Sequence, residues 1–271
     1  MREILSRFGL KKEPFAKDLP VEELYWPPSL EDARSRLRAA IKGHASVVMT
    51  GEPGTGKTFV LRAVEHDLEG QPYRIHYLHN SAVNRREFYR QLCTALGLEP
   101  KASAAALFHL VSQHIQDLAG TQKIRPVIFL DEAHMLANQI LAHFPVLLNY
   151  QMDSKPFLSI VLVGLPELRE TLRRNIQASL NGRLPVRIHL SPLDPSQVAD
   201  YVKHHMRIAG AGKDIFTEES LLMIAEATGG AMRKINVLAR DCLTAAAQTK
   251  SALVDAACVR QATEQCVEAL A

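Results

Sequence analysis

Residues 51–58 read Gly-Glu-Pro-Gly-Thr-Gly-Lys-Thr and meet the spacing G-x-x-x-x-G-K-[ST] at every specified position. That pattern is suited to holding a phosphate. Gly51, Gly54 and Gly56 let backbone N–H groups turn toward an anion with no Cβ in the way. Lys57 would reach the β- and γ-phosphates, and the Thr58 hydroxyl would ligate Mg²⁺. The run Gly51, Glu52, Pro53, Gly54, Thr55, Gly56, Lys57, Thr58 and Phe59 is therefore the expected nucleotide-binding segment. Its context fits. Ser46–Thr50 is a short apolar run that predicts a buried strand. Phe59–Leu68 comes next as a helix with Val60, Leu61, Val64 and Leu68 on one face, offering its positive N-terminal end to the anion.

A second cluster lies 73 residues after Thr58, where the apolar run Val127–Leu130 ends in Asp131-Glu132-Ala133-His134. A buried parallel strand releases polar side chains at its carboxyl end, where ligands bind in such sheets. Asp131 would hold Mg²⁺, with Thr58, through water; Glu132 would orient and polarise an attacking water. ATP and Mg²⁺ are the implied ligands. His134 supports this cluster more naturally than it performs chemistry.

The elements that must position these groups can be read around them. Residues 1–30 form an irregular leader in which Pro14, Pro20, Pro27 and Pro28 oppose a long helix. Its aromatic residues predict packing onto a domain, and Pro14-Phe15 would lie against an adenine ring or simply join a core. Residues 31–190 read as an α/β core. Glu31–Ile41 is a helix with Ser29 as candidate cap, Tyr73–His79 a second strand, and Arg85–Leu96 and Ala104–Leu118 are amphipathic helices. Gln139–Tyr150 is a further helix, and Leu158–Gly164 and Val186–Leu190 are the last strands. Alternating strands and helices imply a parallel five-stranded sheet flanked by helices. Residues 191–271 read as a small all-helical lid: Pro195–Ile208, Thr217–Thr228, Met232–Thr249 and Val254–Ala269. The His204-His205 pair lacks partners at metal-ligand spacing and reads as surface.

Composition excludes several classes. With 47% hydrophobic and 23% charged residues the chain can build a core, and no stretch reads as a transmembrane helix. The charged N-terminus lacks the apolar segment of a signal peptide. Cys93, Cys242, Cys258 and Cys266 form no C-x-x-C pair, which suits a reducing cytoplasm. Residues 191–271 carry a net charge of −2 and the first 190 residues +5, a bias that permits nucleic-acid binding without requiring it.

An α/β nucleotide domain with a helical lid after it resembles the AAA+ ATPases. FGL-KKEPF, the phosphate loop, LDEAH, QMDSK, LVG-PEL and the late G-x-x-R-x-I-N resemble the ExeA/GspA-type ATPases over about Phe8 to Val254. Within that group the chain looks similar to the short transposon-encoded forms, akin in role to TniB, TnsC and MuB. The secretion forms continue into a membrane segment and a peptidoglycan-binding domain, and a chain stopping at Ala271 favours the transposition reading. The resemblance implies that Arg233 is the lid's sensor arginine, touching the γ-phosphate. It implies that Arg183, with Arg187 competing, enters a neighbour's site as an arginine finger; each is otherwise a surface arginine. Guanidinium groups stabilise charge developing on transferring phosphoryl oxygens. Leu165 departs from the pattern. It stands where relatives place a polar residue after the fourth strand, so turnover is expected to be slow unless Asn149 or Glu167 substitutes.

Motifs and resemblance together lead to the expectation of a cytoplasmic ATP-dependent regulator of DNA transposition. ATP would assemble it as a ring or helical filament, a homo-oligomer, on duplex DNA, and the assembly would recruit a DDE-type transposase, without a membrane partner. Asn80, Ser81, Arg85 and Arg86 would touch the DNA backbone independently of sequence, or form an ordinary solvated helix start. Arg169, Arg173 and Arg174 are a second basic cluster, equally suited to a subunit interface. Two other classes stay open: a secretion or envelope-assembly ATPase acting on proteins, and an adaptor that binds ATP without hydrolysing it.

Overall fold

Val127, Ile128, Phe129 and Leu130 are each 1% exposed. A run apolar at every position is satisfied on both faces only within a parallel sheet covered by helices. The computed structural model describes residues 2–16, 19–79 and 83–268. They form two units: Ser29–Gly51 with Lys57–Leu190, and Met1–Pro28 with Glu52–Gly56 and Ser191–Ala271.

The first unit holds the sheet. Its strands are β1 (Val47–Gly51), β2 (Tyr73–Leu78), β3 (Arg125–Leu130), β4 (Ser159–Gly164) and β5 (Val186–Leu190), in the spatial order β2-β3-β4-β1-β5. Every pairing is parallel. β1 and β4 are buried at every residue, and β3 at all but its first, whereas the edge strands β2 and β5 alternate. Central strands need apolar side chains on both faces; edge strands do not. Because the strands run parallel, the carboxyl ends of β1 and β3 emerge on the same edge of the sheet, β1 leading into the phosphate loop and β3 into Asp131.

In chain order the helices are α1 (Arg2–Phe8), α2 (Pro28–Lys42), α3 (Lys57–Asp67), α4 (Arg85–Ala95), α5 (Ala104–Gln116), α6 (Asn138–Leu141), α7 (Phe144–Leu147), α8 (Glu167–Arg173) and α9 (Ala178–Gly182). The second unit, to which α1 belongs, adds α10 (Pro195–Ile208), α11 (Glu218–Thr228), α12 (Met232–Gln248) and α13 (Ala256–Glu268). Their starts show why they begin where they do. Asn84 caps α4 through the Glu87 N–H, Asp194 forms a capping box with Gln197 on α10, and Thr217 caps α11. A buried layer of Phe88, Leu92, Leu107, Val111 and Ile115 seats α4 and α5 against the sheet. Each such side chain contributes about 1.5–3 kcal/mol.

Several expectations need correction. α2 begins at Pro28, so Ser29 lies inside the helix; proline is pre-set for the first turn. The single helix expected over 139–150 is two four-residue helices, because Pro145 lacks the N–H a continuous helix requires. The leader carries α1, which is complete before its first proline. His205 is not a surface residue. It is 3% exposed, stacked on Phe15 at 5.1 Å and packed on Tyr201 at 4.3 Å. Burial, with a smaller contribution from His204, lowers its pKa to about 4. The adjoining His204 donates from Nε2 to the Glu23 carbonyl at 2.8 Å.

Candidate phosphate and metal site

Thr58 and Asp131 meet as the sheet topology requires. The Thr58 hydroxyl donates to Asp131 Oδ2 at 2.8 Å. Asp131 is 4% exposed, and its Oδ1 accepts the Glu132 N–H at 2.9 Å. These are hard oxygen donors on facing elements, the chemistry Mg²⁺ selects, and they fit the expected cation. Lys57 opens α3 and is buried, its ammonium donating to the Gly51 carbonyl at 2.8 Å. That bond holds the side chain back along its own loop. Gly54 and Gly56 have φ of +82° and +94°, angles an L side chain rarely adopts. In the second unit, a Cβ on Gly54 would stand 3.1 Å from the Arg233 Cβ. The glycine is therefore required both for conformation and for close approach to the first turn of α12.

Glu132 is in the left-handed region, φ 53° and ψ 34°, unusual for a non-glycine residue. Such strain costs about 1 kcal/mol or more and collects at functional sites. Its side chain is half exposed and can meet a water. His134 Nδ1 lies 3.4 Å from Glu132 Oε2 and 3.4 Å from the Leu165 N–H. One nitrogen serves one of these at a time: as an acceptor it takes the Leu165 N–H, as a donor it holds Glu132. Leu165 offers no side-chain hydrogen bond; its backbone N–H meets the imidazole when Nδ1 is the acceptor. A Cβ on Gly164 would come within 3.1 Å of that imidazole, so the glycine makes room for it.

Phe15 is 1% exposed with its ring face against His205, so it serves the core of the helical unit and leaves no open face for a purine. Pro14 beside it is also buried. Glu52 and Pro53 are exposed and Thr55 is buried, its hydroxyl donating to the Glu52 carbonyl at 2.9 Å. Phe59 is half-buried. Arg183 is paired in its own chain with Asp153 at 2.6 Å, and Arg187 donates to Asn181 Oδ1 at 2.7 Å. Arg233 is exposed. Arg85 and Arg86 are exposed in the first turn of α4, while Arg90 is tied to Glu87 at 2.8 Å. Asn80 and Ser81 lie outside the described residues. Arg169, Arg173 and Arg174 are exposed on and just after α8.

Sequence reasoning missed Tyr77. Its hydroxyl donates to Asp131 Oδ2 at 3.0 Å, and burial of the phenol, then the Asp131 charge, push its pKa up. The alternation of β2 placed Tyr77 on one face, but only pairing with β3 brings it to Asp131.

Comparison with known proteins agrees with this geometry. Residues 39–172 match the family model described as an AAA domain. The general secretion pathway protein A of Aeromonas hydrophila is 32% identical over 242 residues, covering 88% of this chain and 44% of that protein. The chain thus spans less than half the length of that relative. Among solved structures, Cdc6p from Pyrobaculum aerophilum is similar with a TM-score of 0.75 at 20% identity, covering 93% of this chain and 70% of the other. The Aeropyrum pernix ORC1 protein in complex with DNA gives 0.64 at 18% identity, over 96% and 69%. The Thermotoga maritima RuvB Holliday junction branch migration motor gives 0.59 at 18% identity, over 87% and 67%. At these identities the structures speak for the fold. With a phosphate loop after β1 and an acidic pair after β3, residues 39–172 are similar to the AAA domain, and the chain has the α/β P-loop fold of AAA+ proteins.

Proposed function

We propose that this chain is an ATP-hydrolysing AAA+ switch whose nucleotide state controls assembly with further copies of itself. The observation that carries the reading is the 2.8 Å contact between Thr58 and Asp131 beside a buried Lys57 on a glycine-rich loop. In this reading Lys57 leaves the Gly51 carbonyl to neutralise phosphate charge. The Thr58 hydroxyl and Asp131 would hold Mg²⁺, which would supply charge neutralisation at the phosphates. Glu132 orients the attacking water and draws its proton, with His134 setting the carboxylate's position. Arg183 leaves Asp153 to reach a neighbour's phosphates, which makes turnover depend on assembly, and Arg233 reads the γ-phosphate from α12.

Two observations bear on what the assembly acts upon. Arg85 and Arg86 stand in the first turn of α4, where the helix dipole disfavours cations. Phosphates of duplex DNA would relieve that cost, which favours DNA-directed assembly; a transposase recruited by that assembly belongs to the same reading. The similarity to the secretion pathway protein favours a second reading, in which the same switch acts on protein partners of secretion or envelope assembly. Phosphate release from ATP, measured with and without duplex DNA across a salt series, separates them. Salt-sensitive stimulation by DNA, lost in the Arg85→Ala, Arg86→Ala double variant, supports the first. Turnover indifferent to DNA at low salt removes it and leaves the second.

A further inference from the structure

Asp131 Oδ2 is approached from two sides. β2 lies beside β3, with Tyr77 in register with Phe129. The Tyr77 hydroxyl donates to Oδ2 at 3.0 Å, to the same oxygen that takes the Thr58 hydroxyl at 2.8 Å. A carboxylate oxygen presents two lone-pair sites, and two hydroxyls converge on this one. Their prospects differ once a cation is bound. With a cation bound, the Thr58 oxygen would offer it a lone pair while its proton would still need an acceptor, so its donation to Asp131 would persist. The site held by Tyr77 is then the one at which a metal-bound water would have to donate. Tyr77 is able to yield it. The residue is 43% exposed on an edge strand and its ring lies against His79 at 6.0 Å, so the phenol can turn outward without opening the core.

We propose that the Tyr77 hydroxyl is a placeholder for a metal-bound water on Asp131 Oδ2, displaced when Mg²⁺ enters with nucleotide, and that it thereby sets the Mg²⁺ concentration at which the site closes. Tyr77 acts through Asp131 and is a positioning residue. The inference rests on the reading of Thr58 and Asp131 as the metal's holders, and the experiment keeps the two apart. Affinity for a fluorescent ATP analogue is measured in EDTA and across a Mg²⁺ series for the wild type, Tyr77→Phe and Tyr77→Leu. Thermal melts confirm that both variants fold. Removing one competing hydrogen bond should lower the half-saturating Mg²⁺ concentration about three- to ten-fold in both variants, with affinity in EDTA unchanged. A requirement that stays the same overturns the inference. A requirement that rises also overturns it, because the hydroxyl would then be bracing Asp131. If Mg²⁺ leaves wild-type affinity unaltered, the metal reading fails and the inference with it. A Mg²⁺ response in the wild type that neither variant shifts removes the inference alone.

Discussion

Glu132 has a left-handed backbone at the end of β3 and a half-exposed carboxylate. Glu132→Gln keeps the shape and the hydrogen-bonding reach but cannot take a proton. We expect it to bind ATP with near wild-type affinity and to lose about 10²- to 10⁴-fold in turnover. Binding by calorimetry and phosphate release on one preparation check both halves; unchanged turnover would remove Glu132 from the chemistry. At this scale the sequence was most informative where function forces residue type. The meeting of Thr58 with Asp131 was legible because a phosphate loop and an acidic strand end on one parallel sheet admit few alternative placements. Tyr77 was not, since its role depends on a neighbouring strand that pairing alone reveals. His205 was misread, and of the two alternatives for Phe15 the core one holds, for a related reason: each looked available in isolation, and each is consumed by the other's ring.

Among elements, the turn into α12 is the most sharply constrained. Gly229 and Gly230 have φ of +57° and +74°, and the Leu193 N–H donates to the Gly230 carbonyl at 3.0 Å. A Cβ on Gly230 would stand 1.9 Å from the Leu193 carbonyl oxygen. Gly230→Ala must therefore move backbone, and we expect it to destabilise the helical unit by about 3 kcal/mol or more, whereas Gly212→Ala, with open space around it, should cost about 1 kcal/mol or less. Denaturant titration monitored by circular dichroism compares them; equal midpoints would contradict the packing described. The same unit carries a pH dependence. His205 has a folded pKa of about 4 against 6.5 when unfolded, so the unfolded chain binds the extra proton between those values. Its contribution is complete above pH 6.5 and is lost as pH falls toward 4, by up to about 3 kcal/mol. His205→Phe keeps a ring against Phe15 and Tyr201 and should flatten that slope; an unchanged slope would place the titration elsewhere. Strands were read closely from their apolar runs, because a run buried on both faces has few other homes. Helix limits were less legible where proline intervened, as the split of α6 and α7 by Pro145 shows.

For the whole molecule, the proposed role of nucleotide is to govern assembly. The excess positive charge of the first 190 residues, the exposed arginines of α4 and α8, and an arginine held by Asp153 are the features an assembling switch would use. No helix among the described residues is long and apolar enough to cross a membrane. Fold was legible from the order of strands and helices, because a loop between β1 and α3 with an acidic end on β3 leaves little topological freedom. Partners were not legible, since exposed cations serve DNA, protein and solvent alike. The deciding experiment is sedimentation velocity of the wild type and Lys57→Ala with Mg²⁺ and ATP, ADP or no nucleotide, each with and without duplex DNA. Losing the loop ammonium should cost about 2–5 kcal/mol of nucleotide binding. Large species are expected for the wild type with ATP, a monomer with ADP, and a monomer for Lys57→Ala throughout. A wild type that sediments identically with ATP, with ADP and with neither, DNA present or not, would rule out a nucleotide-controlled assembly.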